Sequence, residues 1–266
     1  MVEATSSLFS DISPSKPIAI EGANINAKWV VPKASKSCDG AVLLRIEHPK
    51  EVSHVEWHSK GDYFVVAMPQ GQSQSVYVHQ MSKRRSQNPF KRAKGIIGSA
   101  MFHPTRPQLF VVSQQSIRIY DLLKQNLVRK LSANCKWISS ADIHPASGDH
   151  VLIGSYDCRL NWFDLNLSPR PYRMIRPHQS AVRRVTFHKR YPLFASCSDD
   201  GSILVSHATV EDDLLKNATI VPLRVLRNGH KLNPNANGLG ILDCAFHPTQ
   251  PWLFSSAADG KICLWT

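Results

Sequence analysis

Five histidines recur along the chain, His58, His103, His144, His188 and His247, separated by 45, 41, 44 and 59 residues. Imidazole is a common metal ligand and proton carrier, so a repeated histidine is the first group to test for chemistry. A metal centre needs three or four ligands converging on one point. Histidines spaced one per repeat unit around a ring do not converge. Each also stands between an apolar residue and a turn sequence (WHSKG, FHPTR, IHPAS, FHKRY, FHPTQ). They are expected to be turn residues. The six cysteines, Cys38, Cys135, Cys158, Cys197, Cys244 and Cys263, come no closer than 19 residues and include no C-x-x-C. Zinc-ribbon spacing is absent, and reduced thiols packed as small hydrophobes are expected instead. Asp199 and Asp200 pair two carboxylates, the raw material of acid–base hydrolysis. They fall in SDDG, a turn sequence. No H-E-x-x-H, P-loop, nucleophile elbow or G-x-G-x-x-G occurs. The expectation is a protein that is not an enzyme, with no catalytic residue, no metal site and no cofactor.

The elements that carry these residues repeat. Each copy runs as an apolar residue, His, often Pro, an apolar strand, a small-residue and Asp/Gly turn, and an alternating strand. The alternating strands are VYVHQ, IRIYD, LNWFD, ILVSH and ICLWT, with the period of two expected of half-buried strands. A period of 40–45 residues with a four-stranded unit is that of a β-propeller blade. The fold class is therefore all-β, with five clear blades. Residues 1–40 are expected to be an irregular N-terminal segment and 41–266 the propeller, with an insertion near 211–238 in the long last interval. The copies resemble WD repeats over residues 51–266. In the last copy His230, Ser255, Asp259 and Trp265 match that family's hydrogen-bonded tetrad. Elsewhere the match decays: Tyr120, Phe163 and Ser206 stand where Trp would, while His178 and Asp200 survive in the fourth copy. AVLLRIEH (41–48) looks like the outer strand of a further blade. An N-terminally truncated chain from a longer, open or incomplete ring is expected, with a closed five-bladed ring as the alternative.

Net charge is +12, from 32 Lys and Arg against 20 Asp and Glu. That balance favours polyanionic surroundings such as a ribonucleoprotein. Two stretches concentrate the cations without an acid. MSKRRSQNPFKRAKG (81–95) holds Lys83, Arg84, Arg85, Lys91, Arg92 and Lys94. SPRPYRMIRPHQSAVRRVTFHKRY (168–191) includes Arg170, Arg173, Arg176, Arg183 and Arg184. These eleven are the candidate RNA-binding residues; charge placed on outer strands to block edge-to-edge pairing is the alternative. The aromatics fall mostly at strand positions and are expected in the core rather than as base-stacking platforms. No apolar run approaches the roughly 18 residues of a membrane helix, and the opening residues, with an acid and no apolar core, are not expected to be a secretory signal.

Several segments are more specific than a generic WD repeat. NCKWISS, GSYDCRLNWFDLNLSPRPYRM, RYPLFASCSDDGS, FHPTQPWLFSSAADG and SKRRSQNPFKR resemble the C-terminal propeller of the block-of-proliferation family of eukaryotic ribosome biogenesis factors. The resemblance implies a non-enzymatic scaffold in nucleolus and nucleoplasm, acting in 60S assembly and maturation of large-subunit rRNAs from pre-rRNA. It implies a pescadillo-family partner, a second WD-repeat protein with a ubiquitin-like domain, and pre-60S particles, with no membrane partner. It also implies a seven-bladed ring and a long N-terminal region.

Overall fold

The computed structural model describes residues 27–30, 44–89, 95–209, 219–231 and 238–266. Five antiparallel meander sheets follow one another along the chain as the blades of a β-propeller. Blade 1 comprises β3 (His54–Trp57), β4 (Tyr63–Ala67), β5 (Val76–Gln80) and β6 (Arg85–Gln87). Blade 2 comprises β7 (Ile97–Phe102), β8 (Gln108–Ser113), β9 (Ser116–Asp121) and β10 (Asn126–Ser132). Blade 3 comprises β11 (Ile138–Ile143), β12 (His150–Ser155), β13 (Leu160–Asp164) and β14 (Arg173–Ile175). Blade 4 comprises β15 (Val182–Phe187), β16 (Leu193–Ser198), β17 (Ile203–Thr209) and β18 (Thr219–Leu226). Blade 5 comprises β19 (Ile241–Phe246), β20 (Leu253–Ala257) and β21 (Ile262–Trp265). Within each blade the strands are called a to d in chain order.

The core lies between blades, which explains the sequence of the b strands. A b strand is covered on both faces by neighbouring blades, so it loses the polar half of a two-residue alternation. β12, HVLIGS, is buried at every position. Val65, Ala67, Ile97 and Val111 fill the seam between blades 1 and 2. Phe110, Val112, Ile138 and Phe163 fill the next. Trp162, Val182, Phe187 and Phe194 follow, then Cys197, Ile203, Ile241 and Cys244. Each fully buried side chain of this size contributes roughly 1.5–3 kcal/mol. The outward face of blade 5 is different: Leu242, Phe254, Ile262 and Leu264 are exposed there.

The a strands of blades 2 to 5 share a β-bulge at their second residue. The register shifts between Ile97 and Ser99, Ile138 and Ser140, Val182 and Arg184, and Ile241 and Asp243. A bulge re-aims the extra side chain out of the ladder. The extra residue is Gly98, Ser139, Arg183 or Leu242, so blades 3 to 5 re-aim a side chain there and blade 2 does not.

Three sequence expectations change. Lys28–Val30, inside the segment expected to be irregular, is a strand (β1) that pairs with β2 (Arg45–Glu47). Ala27, Trp29 and Ile46 of that ribbon pack on Phe64, Val66, Met68 and Tyr77 of blade 1. The stretch 211–238 is not wholly an insertion, because β18 within it pairs along β17 from Ile203↔Leu226 to Thr209↔Thr219. Its alternation is hidden by Pro222 at a register shift between Val205 and Ser206. Among the described residues of the basic stretch after VYVHQ, only Arg85–Gln87 forms a strand, the short d strand at the edge of blade 1.

Candidate functional site

The repeated histidines are spent on their own turns. The backbone N–H groups of Thr105 and Arg106 donate to His103 Nδ1 at 3.1 and 3.0 Å. Arg190 and Tyr191 do the same to His188 Nδ1 at 2.9 and 3.0 Å, and Thr249 and Gln250 to His247 Nδ1 at 3.3 and 3.1 Å. An Nδ1 that accepts two amide protons carries no proton and offers no lone pair to a metal. The other ring edge meets the next blade. His58, His144 and His188 lie edge-on to Phe102, Phe187 and Phe246 with ring centroids 5.2, 5.4 and 5.1 Å apart. Burial pushes His58, His103 and His144 below the ordinary imidazole range.

The paired carboxylates are likewise committed. Asp200 takes hydrogen bonds from His178 Nδ1 (3.3 Å), Gln179 N (2.9 Å) and Ser202 Oγ (2.6 Å). Burial alone would raise its pKa, but these donors outweigh it and hold the carboxyl well below the usual range. Asp199 pairs with Arg183, whose Nε and Nη2 lie 2.8 and 2.7 Å from Oδ2. Its Oδ1 accepts the Gly240 N–H at 3.1 Å. Position 240 must be glycine because a Cβ there would sit 2.5 Å from the Asp199 carbonyl oxygen. Two carboxylates pointing to different partners form no acid–base dyad.

The last blade joins His230, Ser255, Asp259 and Trp265 in one chain of hydrogen bonds. Trp265 Nε1 donates to Ser255 Oγ (2.9 Å), Ser255 Oγ meets His230 Nε2 (2.8 Å), and His230 Nδ1 meets Asp259 Oδ1 (3.2 Å). Ser255 receives the indole proton and can donate its own only to an unprotonated Nε2, so the histidine proton sits on Nδ1, facing the carboxylate. Blade 4 keeps His178 Nε2 on Ser196 Oγ at 2.8 Å. Ser206 replaces the indole there, and its buried hydroxyl has no partner among the described residues. In blade 1 the corresponding position is His79, fully buried, with Nδ1 2.8 Å from Ser86 Oγ. Ser86 in turn accepts Trp29 Nε1 at 2.7 Å.

The eight described candidate cations do not form one surface. Lys83 and Arg84 lie in the turn before β6, and Arg85 on that edge strand, beside a turn that Asp62 clamps through Ser82 N (2.9 Å) and Gln80 Nε2 (2.9 Å). Lys91, Arg92 and Lys94 lie outside the described residues. Arg170, Arg173 and Arg176 are exposed around the outer strand of blade 3. Arg183 and Arg184 sit instead on β15, an innermost strand, where Arg183 pairs with Asp199 and Arg184 Nε lies 3.5 Å from Asp243 Oδ1. The rim therefore carries two cationic clusters, on blades 1 and 3, and the second sequence stretch divides between the rim and the innermost strand of blade 4.

One group was not legible as a site. Trp137 and Tyr156 are 46% and 41% exposed, although aromatics were expected in the core. Trp137 precedes β11 where Ala181 and Gly240 precede the a strands of blades 4 and 5, each accepting an N–H from its own b–c turn. An aromatic at a position that is Ala181 and Gly240 in blades 4 and 5 is the signal that could have found it.

A family model for the WD domain, G-beta repeat, matches residues 169–205 and 221–266. Curated relatives match much more of the chain. "Ribosome biogenesis protein bop1" of Danio rerio is 52% identical over 90% of this chain. "Ribosome biogenesis protein BOP1" of Rattus norvegicus is 49% identical over all of it, and that of Homo sapiens 53% identical over 90%. The chain is a WD-repeat relative of the BOP1 proteins. It spans about a third of their length, 30%, 35% and 31% respectively. The WD-repeat match and the repeat geometry agree on a β-propeller. Among the described residues no three His, Cys, Asp or Glu side chains form a metal-holding group, and no helix is long and apolar enough to cross a membrane.

Proposed function

We propose that this chain is the propeller of a non-enzymatic scaffold in large-subunit (60S) ribosome biogenesis. The observation that carries the reading is its similarity, at 47–54% identity over 90–100% of its length, to proteins named for ribosome biogenesis. In this reading it works in nucleolus and nucleoplasm within a pescadillo-containing complex. A second WD-repeat protein with a ubiquitin-like domain is its propeller partner, and it supports maturation of large-subunit rRNAs from pre-rRNA. The acid-poor rims of blades 1 and 3 support contact with the RNA backbone through Lys83, Arg84, Arg85, Arg170, Arg173 and Arg176. Each phosphate met by a cation releases counterions, so such binding weakens steeply with salt.

The test is affinity purification of the tagged chain with and without RNase, comparing the native protein with K83E/R84E/R85E. Co-purification of pre-60S particles that weakens with RNase and with the reversed charges is expected. Association indifferent to both would overturn the RNA part and leave a protein–protein adaptor.

A further inference from the structure

The b–c turns of blades 2 to 4 carry a second feature, apart from the rims. A cleft of about 470 Å³ opens beside the b–c turn of blade 2. Its walls include Arg118, Lys130, Gln114, Gln115 and Asn134, two cations and three amides, and no acid. The cleft wall is joined through the backbone to the exposed aromatics. Cys135 lines it two residues before Trp137, and Gln114 O, on its wall, accepts the Ile138 N–H at 2.7 Å. From there Tyr156 N donates to Trp137 O at 3.1 Å, and the two rings meet edge-to-face with centroids 6.1 Å apart. Arg183, aimed here by its bulge, lays its guanidinium 5.1 Å from the centre of the Tyr156 ring. The Asp199 ion pair at 2.7 Å fixes that guanidinium in place.

We infer that this track binds a single-stranded RNA segment, with phosphates in the Arg118–Lys130 cleft and bases stacked against Trp137, Tyr156 and the Arg183 plane. The inference rests on the RNA reading of the chain and names the site within it. Planar side chains take any base, because every base has a π-face, while cations beside them follow the backbone. Water does not favour two large aromatic rings left half-exposed next to each other, and neither ring is needed to fill a seam between blades. Arg183 is already oriented by Asp199, so stacking on it costs little side-chain ordering. Among the described residues no acid lines the cleft, and Asp157, which faces Cys135 from the next turn, is offset by Arg159 at 3.6 Å, so the walls favour a polyanion over a cationic peptide.

The test is fluorescence anisotropy of the full 266-residue chain with a labelled single-stranded RNA of about 12 nucleotides, read between ~50 and ~200 mM salt. W137A and Y156A are each expected to weaken binding by about tenfold with little change in salt slope. W137F and Y156F retain most of the affinity. R118Q/K130Q is expected to lower the salt slope by about 1.4, at roughly 0.7 per phosphate contact on a single strand. Each variant's melting temperature, unchanged for these exposed rings, separates lost binding from lost folding. If the native chain binds no RNA at low salt, the RNA reading fails and this site with it. If it binds and the alanine variants bind equally well, the site alone is refuted. Alanine variants that keep RNA affinity but lose RNase-resistant association with particles would make the track a protein-docking surface, and would equally refute it.

Discussion

His79 predicts how the fold responds to acid. Its ring is fully buried between Phe64, stacked at 4.7 Å, and the edge of His48 at 5.0 Å. Burial first, and then the neighbouring His48, lower its pKa to about 3 from an ordinary 6.5. The unfolded chain therefore binds a proton between those values that the folded chain refuses. Stability supplied by neutral His79 is intact above pH 6.5 and is lost progressively as pH falls towards 3. With these two values the loss is about 0.8 kcal/mol at pH 6 and about 2 kcal/mol at pH 5. H79F keeps an aromatic ring against Phe64 and leaves Ser86 with its Trp29 donor, but removes the titration. Urea unfolding of both proteins at pH 7.5, 6 and 5 isolates this one group, since the other histidines are common to both. H79F is expected to begin less stable than the native chain by about 1 kcal/mol, for the lost hydrogen bond. The gap should close and then reverse on acidification. Unfolding midpoints that fall in parallel would refute a buried, neutral His79.

Other perturbations follow from single contacts. S255A leaves the half-buried Trp265 Nε1 and the buried His230 Nε2 without their shared partner and is expected to cost about 1–3 kcal/mol in urea unfolding. S196A in blade 4, where no indole donates, should cost less. G229A places a Cβ 2.5 Å from Trp265 Cζ2, and about 1–3 kcal/mol should be lost as the indole moves, with a change in near-ultraviolet circular dichroism. Arg84 holds φ at 47°, a left-handed geometry that costs a side chain strain, so R84G is expected to stabilise the turn by about 0.5–1 kcal/mol in thermal melts. Glu56 has the opposite pH sign to His79. Burial, then the Asp142 carboxylate, push it up to about 8, so its ionisation opposes the fold between pH 4.5 and 8. E56Q should flatten the decline in stability over that window.

The repeat was legible because it is written in turns as well as strands. A histidine whose Nδ1 must accept two amide protons, and a c strand alternating every second residue, leave a periodic trace that survives substitution in the core. What was hidden lay where position, rather than pattern, decides the outcome. Lys28–Val30 is three residues long and pairs with a strand 17 residues further on, below the length at which alternation can be recognised. β18 reads as loop because Pro222 and the exposed Thr219, Val221 and Leu223 break any clean period on an edge strand. The same limit divides the site. The eleven cations were countable in the sequence, but which lie on a rim and which face inward depends on a bulge at Arg183 that no composition reveals. Trp137 and Tyr156 stand just before a strand and just after one, where an alternation argument does not apply.

The decay of the tetrad shows what holds a blade together. If the Trp265–Ser255–His230–Asp259 chain were required, blade 4 with Ser206 and blade 3 with Phe163 would be distorted. Yet β15 to β17 keep the same antiparallel register and the same bulge as β19 to β21. Phe163 is fully buried in the seam between blades 2 and 3, so apolar packing there replaces a hydrogen bond by area. Blade 1 adopts a third solution, with His79, Ser86 and Trp29 joining the propeller to the β1–β2 ribbon. What every blade shares instead is the histidine turn, to which blades 1, 3 and 4 add an edge contact with the following a strand. The turn fixes the blade, the seam fixes the neighbour, and the tetrad is one of several ways to fill the space between them. Residues free of all three duties, the rim cations and the Trp137–Tyr156 track, are those on which binding can be built without disturbing the fold.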